Sequence, residues 1–386
     1  MASRRELIEI ARRALRHSRD NTTDSAPDTL EISVGDYRDA DIWNLELREV
    51  FRRVPIALAL TAELPELGDY KAMEASGLPV LLTRGTDGVV RAFLNVCRHR
   101  GARVCEPGTA NARRFQCPYH AWTYNDRGQL AGIYRADQFG AVDRGDRGLV
   151  ALPAAERFGF VWVVLSPDGD LQLDPWLGSF AAELESLGLD QWTVFAQDEL
   201  PGPNWKLVFD GYLEGYHGDS LHADSLAADS IANLLVVDAY GPHQRLVFSL
   251  KSLLSIDDQP EETWEPTPHL VPNHILFPNV SIAGSWHDLC MVCLVLPGRS
   301  VGTSVTIQTV LTRRRASTKR EHALARNFRG LMLTVARDED YPAVQALQEG
   351  LGSGANEHFI IGRNEIAVQH FHQQLRQLVG GAVTGG

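Results

Sequence analysis

Two short runs carry the clearest chemistry in this chain: Cys97-Arg98-His99-Arg100-Gly101 and Cys117-Pro118-Tyr119-His120. Seventeen residues lie between His99 and Cys117, and the two half-sites offer two thiolates and two imidazoles. Thiolates are soft donors suited to zinc and iron–sulfur clusters, whereas imidazole suits iron, zinc and copper. A structural zinc ion takes Cys2His2, but a zinc finger pairs its ligands as Cys-x2–4-Cys and then His-x3–5-His. A [2Fe–2S] centre in which two His replace two Cys on one iron takes the same four groups. Its potential lies well above that of an all-Cys cluster. Here each half-site holds one Cys and one His, the mixed order of the cluster.

A second constellation lies about a hundred residues downstream, between Phe209 and His222. Asp210, Glu214 and His217 fall at i, i+4 and i+7, one face of a helix predicted over Lys206–His217. His222 follows His217 by five residues and leaves that face in a straight helix, but Gly218 offers a break that swings it back. Two neutral imidazoles and one carboxylate make the facial triad of non-haem Fe(II) oxygenases, with positions open to O2. Arg337-Asp338-Glu339-Asp340-Tyr341 supplies three further carboxylates. Taken alone, these residues also describe a core histidine beside solvated acidic faces.

Cys-x-His-Arg-Gly followed by Cys-Pro-Tyr-His-x-Trp, ending at Trp122, resembles the Rieske iron–sulfur signature. Together with Asn204-Trp205-Lys206 and Glu214-x-x-His217-x4-His222, it makes nearly the whole chain similar to one family. That family is the catalytic α subunit of Rieske non-haem iron oxygenases, the ring-hydroxylating oxygenases. The resemblance implies that Cys97, His99, Cys117 and His120 bind a [2Fe–2S] cluster and that His217 and His222 bind a mononuclear Fe(II). It makes Glu214 the electron-transfer bridge between subunits. Many ring-hydroxylating members have Asp there, whereas Glu is frequent in oxygenases of quaternary ammonium compounds. The stretch Gln348-Glu349-Gly350-Leu351 resembles the family's Gln-x-Gly-Leu and selects Asp340 as third iron ligand, with Asp338 as runner-up.

The same resemblance implies O2 as co-substrate and electrons from NAD(P)H through a reductase or ferredoxin. It also implies a homotrimer in which the cluster of one subunit serves the iron of its neighbour. The implied activity is hydroxylation of an aromatic or other small organic substrate. Monooxygenation, such as demethylation of a quaternary ammonium or methylated substrate, is the alternative. A Rieske electron carrier without catalysis is a reading of another class, and it leaves roughly 220 residues and the His pair unexplained.

Periodicity indicates the elements that must position these groups. Val80–Thr83 and Val89–Leu94 read as strands around the turn Gly85-Thr86-Asp87-Gly88, and Asp126-Arg127-Gly128 marks a second turn. Both ligand segments are therefore expected at hairpin tips. Asp174-Pro175 predicts a helix start with Leu177, Phe180, Ala181, Leu184 and Leu187 on one stripe. Val236–Leu253 and His274–Val310 read as an antiparallel sheet, and Arg320–Arg337 and Asn364–Leu378 as helices. Residues up to Arg19 form an amphipathic helix, and 20–41 a polar linker. The expected fold is α+β. An all-β Rieske domain at 43–165 is inserted beside a catalytic domain of 1–42 and 166–386. The latter is an antiparallel sheet with covering helices, helix-grip and START-like.

Bulk properties narrow the partners. A net charge of −12 and a pI near 5.5 argue against nucleic-acid binding. No apolar run approaches the length of a membrane span, and Glu6 and Glu9 argue against a transit peptide. Of five Cys, two are assigned to the cluster, leaving an odd number and no disulfide framework. That fits a cytoplasmic location. Cys105 reads as a small buried hydrophobe, and Cys290 and Cys293 as strand residues on opposite faces. Six Arg against one acid, Glu106, between residues 91 and 114 suggest a docking patch for an acidic electron donor. Pairing with acids of a neighbouring subunit is the competing reading.

Overall fold

The computed structural model describes residues 2–383. It forms two compact units: Leu47–Trp176, and Met1–Glu46 together with Leu177–Gly386. The first is thus an insertion in the chain of the second.

In the inserted unit, Asp69–Ala75, Leu78–Arg84 and Val90–Leu94 form an antiparallel meander, flanked by Gly108–Asn111 and Ala151–Leu152 on the two edges. The predicted turn is present: the Gly88 N–H bonds the Gly85 carbonyl at 2.9 Å, with Gly88 at φ +79°. A three-stranded sheet of Arg114–Gln116, Thr123–Asn125 and Leu130–Gly132 carries Cys117 at the tip of its first hairpin. Cys97 differs from expectation. Its segment leaves Val90–Leu94 and crosses to the far edge strand Gly108–Asn111, so it is a crossover rather than a hairpin tip. A local Val96–Arg103 bridge nonetheless closes it into a small loop of its own. Phe93, Phe115, Trp122 and Tyr124 pack with both Cys in one apolar cluster beneath the two loops.

The larger unit is built on a seven-stranded antiparallel sheet. Its strands are β1 (Thr193–Gly202), β2 (Ser230–Tyr240), β3 (His243–Leu250), β4 (Leu270–Leu276), β5 (Val280–Ala283), β6 (Leu289–Pro297) and β7 (Ser304–Thr312), in spatial order β1-β7-β6-β5-β4-β3-β2. Cys290 pairs with Leu311 and Cys293 with Gln308, so three residues apart on one strand they face opposite sides, both fully buried.

Six helices matter to the site: α1 (Arg4–Asp20), α2 (Phe180–Leu187), α3 (Trp205–Gly211), α4 (Lys319–Leu333), α5 (Tyr341–Leu351) and α6 (Ile366–Val383). Helix α1, the predicted amphipathic helix, buries Leu7, Ile8, Ile10, Ala11, Ala14 and Leu15 and packs on β2. The segment before α2 breaks at Gly178, in the left-handed region at φ +51°, so its predicted stripe is interrupted. Residues 20–41 are more than a linker: Leu30–Ser33 pairs with His358–Ile361, and Tyr37 is buried.

The largest departure lies at the site itself. Helix α3 stops at Gly211 rather than running on to His217. Tyr212 and Leu213 close its end with 3.0 Å bonds back to Phe209 and Asp210. Gly211, Gly215 and Gly218 follow in quick succession, each disfavouring helix by about 1 kcal/mol relative to Ala. Glu214 therefore lies in a loop, and His217 just before the short helical turn Gly218–Leu221.

Candidate metal centres

The two half-sites of the inserted unit share one backbone design. The Cys97 N–H bonds the Ala102 carbonyl and the Cys117 N–H the Trp122 carbonyl, each at 2.8 Å. The fourth residue after each Cys returns its N–H to the Cys carbonyl and is left-handed, Gly101 at φ +82° and Ala121 at φ +56°. A non-glycine residue there carries about 1–2 kcal/mol of strain, so its surroundings must hold it.

These loops sort the four side chains two and two. The thiols are buried and in mutual contact, and Cys97 Sγ lies 3.3 Å from the Tyr124 hydroxyl. The two imidazoles, half-exposed, meet at 4.6 Å between ring centroids. His99 stacks on Trp122 at 5.0 Å and 9°, which gives the motif's tryptophan its role. Burial, His120 and Arg100 lower the His99 pKa, keeping that ring in the neutral form that binds metal. Among the described residues, the buried His99 Nδ1 has no hydrogen-bond partner. Two thiols on one side, two imidazoles on the other and an orphaned ring nitrogen fit a [2Fe–2S] centre with a different ligand pair on each iron.

In the larger unit, His217, His222 and Asp340 bring one donor atom each to within 4.8 Å of one another. The Nε2 atoms of His217 and His222 are 3.1 Å apart. Asp340 Oδ1 lies 3.1 Å from the His222 Nε2 and 3.6 Å from that of His217. Ligands about 2.1 Å from an octahedral metal and adjacent to one another are about 3 Å apart, so this triangle has the edges of one octahedral face. The opposite face would be left to other ligands.

Both rings are turned inward by carboxylates on their outer nitrogens. Glu214 accepts from His217 Nδ1 and also holds the Tyr216 and His217 amides. Glu339 Oε2 accepts from His222 Nδ1 at 2.6 Å and from the Ser225 hydroxyl at 2.7 Å. Each bond fixes the tautomer with Nε2 free for metal. Burial works to lower the pKa of both imidazoles, but Glu214 and Asp340 outweigh it for His217, and Asp340 and Glu339 for His222, so both are raised. Three carboxylates around two imidazoles form a well for a cation, and the donor set fits iron(II).

The structure brings His217, His222 and Asp340 together with Glu214, and leaves out two candidates. Asp338 is exposed and paired with Arg337 at 2.7 Å. Asp210 accepts from the Tyr37 hydroxyl and pairs with His372 Nε2, each at 2.8 Å, anchoring the end of α3. Glu339 and Ser225 were missed; three consecutive acids, one to ligate and one to orient, is the signal that could have found the former. Asn204-Trp205-Lys206 acts through structure. Asn204 caps α3 through the Lys206 N–H at 2.9 Å, Trp205 Nε1 donates to Glu46 at 3.0 Å, and Lys206 forms a buried ion pair with Glu46.

A fold of this kind, carrying a thiolate–imidazole cradle and a separate two-His-one-carboxylate triad, defines an iron oxygenase scaffold. Residues 54–143 match the Rieske [2Fe-2S] domain model, and residues 189–381 the ring hydroxylating alpha subunit (catalytic domain) model. The chain belongs to the Rieske oxygenase α-subunit family. It is 33% identical over 204 residues to the glycine betaine monooxygenase oxygenase subunit of Chromohalobacter salexigens, covering 50% of this chain and 45% of that protein. To the chlorobenzene dioxygenase subunit alpha of a Cupriavidus species it is 31% identical over 190 residues, covering 47% and 42%. The matched stretch thus spans less than half the length of either relative. Its fold superposes on a crystal structure of a quaternary ammonium Rieske monooxygenase with TM-score 0.78 at 24% identity, covering 91% of this chain and 96% of that one.

Proposed function

We propose that this chain is the oxygenase component of a Rieske system, oxidising a small organic substrate with O2 at His217, His222 and Asp340. The observation that carries the reading is the convergent triangle of two Nε2 atoms and one carboxylate oxygen in a chain that also holds the cluster cradle. When bound, the two centres supply one-electron transfer and O2 activation. The chain's own residues do the rest. Cys97, His99, Cys117 and His120 would hold the cluster. Glu214 and Glu339 hold the rings of His217 and His222 in register, and a cleft lined by Val208, Tyr212, Glu214 and Leu347 opens beside the triad.

Glu214 sits in this cleft with His217, so a second copy could reach it from solvent. That supports Glu214 as the bridge by which the cluster of one subunit serves the triad of the next, in a homotrimer fed by a ferredoxin or reductase using NAD(P)H. A cytoplasmic location fits the thiol ligands, and among the described residues no helix is long and apolar enough to cross a membrane.

The general reading covers hydroxylation of aromatic and other small molecules. Demethylation of a quaternary ammonium or methylated substrate is the second reading, supported by Glu at position 214 and by the glycine betaine monooxygenase relative. Iron and acid-labile sulfide analysis, followed by O2 uptake and product analysis with a reductase, tests both. About three irons and two sulfides per chain with coupled product are expected. Two irons and no O2 uptake with any substrate would leave an electron carrier.

A further inference from the structure

Beside the triad stands a file of oxidisable groups that the oxygenase reading does not use. Tyr341 directly follows Asp340, and both line the cleft together with Tyr212 and His217. The Tyr341 hydroxyl donates to Thr306 on β7 at 2.5 Å. Thr306 lies two residues from Gln308, the register partner of Cys293 on β6, so Thr306 and Cys293 are diagonal neighbours on one face of the sheet. The Tyr212 hydroxyl is in contact with both the Cys293 thiol and the Tyr341 hydroxyl. Asp340, Tyr341, Tyr212 and Cys293 thus make one line from metal ligand to thiol.

The line ends in a thiol closed to solvent. Cys293 is fully buried, and so is the Tyr212 hydroxyl. Burial pushes the Cys293 thiol up to about 12, so it stays a neutral thiol. Oxidants in solution act on exposed thiolates, and Cys293 is neither exposed nor ionised. Cys290 is equally buried but faces the opposite side of the sheet. Phenols and thiols are among the side chains that give up a single electron most readily. Placed in contact next to a metal triad, they offer oxygen an electron source other than substrate.

We propose that Tyr212 and Cys293 are where the chain itself is oxidised when O2 is reduced at the triad without an organic substrate. Tyr212 gives up its phenolic hydrogen as an electron and a proton, and both go to the oxygen being reduced. The Cys293 S–H bond then breaks as a new O–H bond restores Tyr212, which moves the electron deficit onto sulfur. A second electron and proton leave by the same route as water adds to that sulfur. One O2, two electrons from the cluster and iron, two protons and the thiol give one sulfenic acid and one water. The thiol thereby takes the substrate's place. This inference rests on the oxygenase reading and goes beyond it.

To test it, the metal-loaded chain is reduced with dithionite, desalted and exposed to air without organic substrate, with catalase removing free peroxide. After several cycles the chain is denatured in dimedone, which traps sulfenic acid, and its peptides are read by mass spectrometry. Label should appear at Cys293 and not at Cys290 or the partly exposed Cys105. Tyr212→Phe keeps the ring and should cut that label about tenfold or more, with the thermal midpoint held within a few degrees. Cys293→Ala should strand the deficit on Tyr212, seen as a phenoxyl radical by electron paramagnetic resonance of frozen samples. Unlabelled Cys293, label spread equally over the other thiols, or no radical in Cys293→Ala would each overturn the proposal. Equal label in Tyr212→Phe or in a His222→Ala chain lacking the triad iron would do the same. Failure of the oxygenase reading has a different signature. The native chain then holds about two irons rather than about three and consumes no more O2 per cycle than the His222→Ala chain. Extra O2 consumed with Cys293 unlabelled sinks this proposal alone.

Discussion

Glu339 touches no metal position, yet it should govern iron affinity. It accepts from His222 Nδ1 at 2.6 Å and from Ser225 at 2.7 Å, in a half-buried setting where a charge-assisted bond is worth about 1.5–3 kcal/mol. Glu339→Gln keeps an acceptor and removes the charge, while Glu339→Ala removes both. Each lets the His222 ring turn or take the tautomer that protonates Nε2. At 1.4 kcal/mol per factor of ten, Fe(II) should dissociate about 10-fold more readily from Glu339→Gln and about 100-fold more from Glu339→Ala.

The assay is competition for Fe(II) with a chelator of known affinity, followed by iron quantitation. Visible absorbance of the [2Fe–2S] centre serves as an internal control, because the cluster ligands lie in the separate unit Leu47–Trp176. Asp338→Asn, one residue away but exposed and paired with Arg337, should change affinity by no more than about twofold. If both Glu339 variants hold iron within twofold of the native chain, the orienting role is wrong and the facing carboxylate is incidental.

Three further outcomes follow from named contacts. Glu214→Ala should retain the cluster and, supplied with excess Fe(II) because the His217 ring loses its orienting carboxylate, still lose most turnover, and normal coupled turnover would sink the bridging role. Lys206→Met strands the buried Glu46 carboxylate, already pushed up by burial, and should cost about 3–5 kcal/mol in denaturant unfolding. Pairing it with Glu46→Leu should recover much of that loss, and no recovery would contradict the account. Glu183 is largely but not fully buried, which alone would raise its pKa, but His274 and Arg245 hold it down to about 2. A folded pKa below the ordinary 4.5 contributes stability that is complete above about pH 5 and lost as pH falls toward 2. The stability gap between the native chain and Glu183→Gln, about 2 kcal/mol near neutrality after allowance for partial exposure, should close over that range. A gap that stays constant from pH 7 to 3 would show that the ion pair contributes nothing.

Local features of this fold were legible, and long-range ones were not. The Gly85–Gly88 turn and the helices α1 and α6 could be read because alternation and 3.6-residue spacing report which face is buried within one element. The crossover that carries Cys97 could not, because the partner of Gly108–Asn111 is Asp69–Ala75, and nothing local announces it. Leu30–Ser33 was lost in a polar stretch for the same reason: its partner, His358–Ile361, lies more than 300 residues away. The extent of α3 was misread because Asp210, Glu214 and His217 keep helical spacing through two glycines, Gly211 and Gly215, with Gly218 just beyond. Spacing said helix and propensity said break, and propensity prevailed.

The candidate site shows why ligands are easier to read than their supports. His217 and His222 sit close in sequence because one loop must deliver both, so a spacing survives. Asp340 arrives from the far end of a helical run, and its delivery depends on a π-type segment, Thr334–Asp340, set between α4 and α5. Such wide turns insert a residue into a helix and gather at functional sites. Here the segment ends where two consecutive acids embrace one ring, Asp340 at Nε2 and Glu339 at Nδ1. Opposite edges of an imidazole need acceptors pointing different ways, and neighbouring helical residues, about 100° apart, supply that divergence. One residue would ligate and the next would orient, so Asp338-Glu339-Asp340 is a division of labour rather than a redundant acidic run. The remaining exposed acid, Asp338, is left to neutralise Arg337.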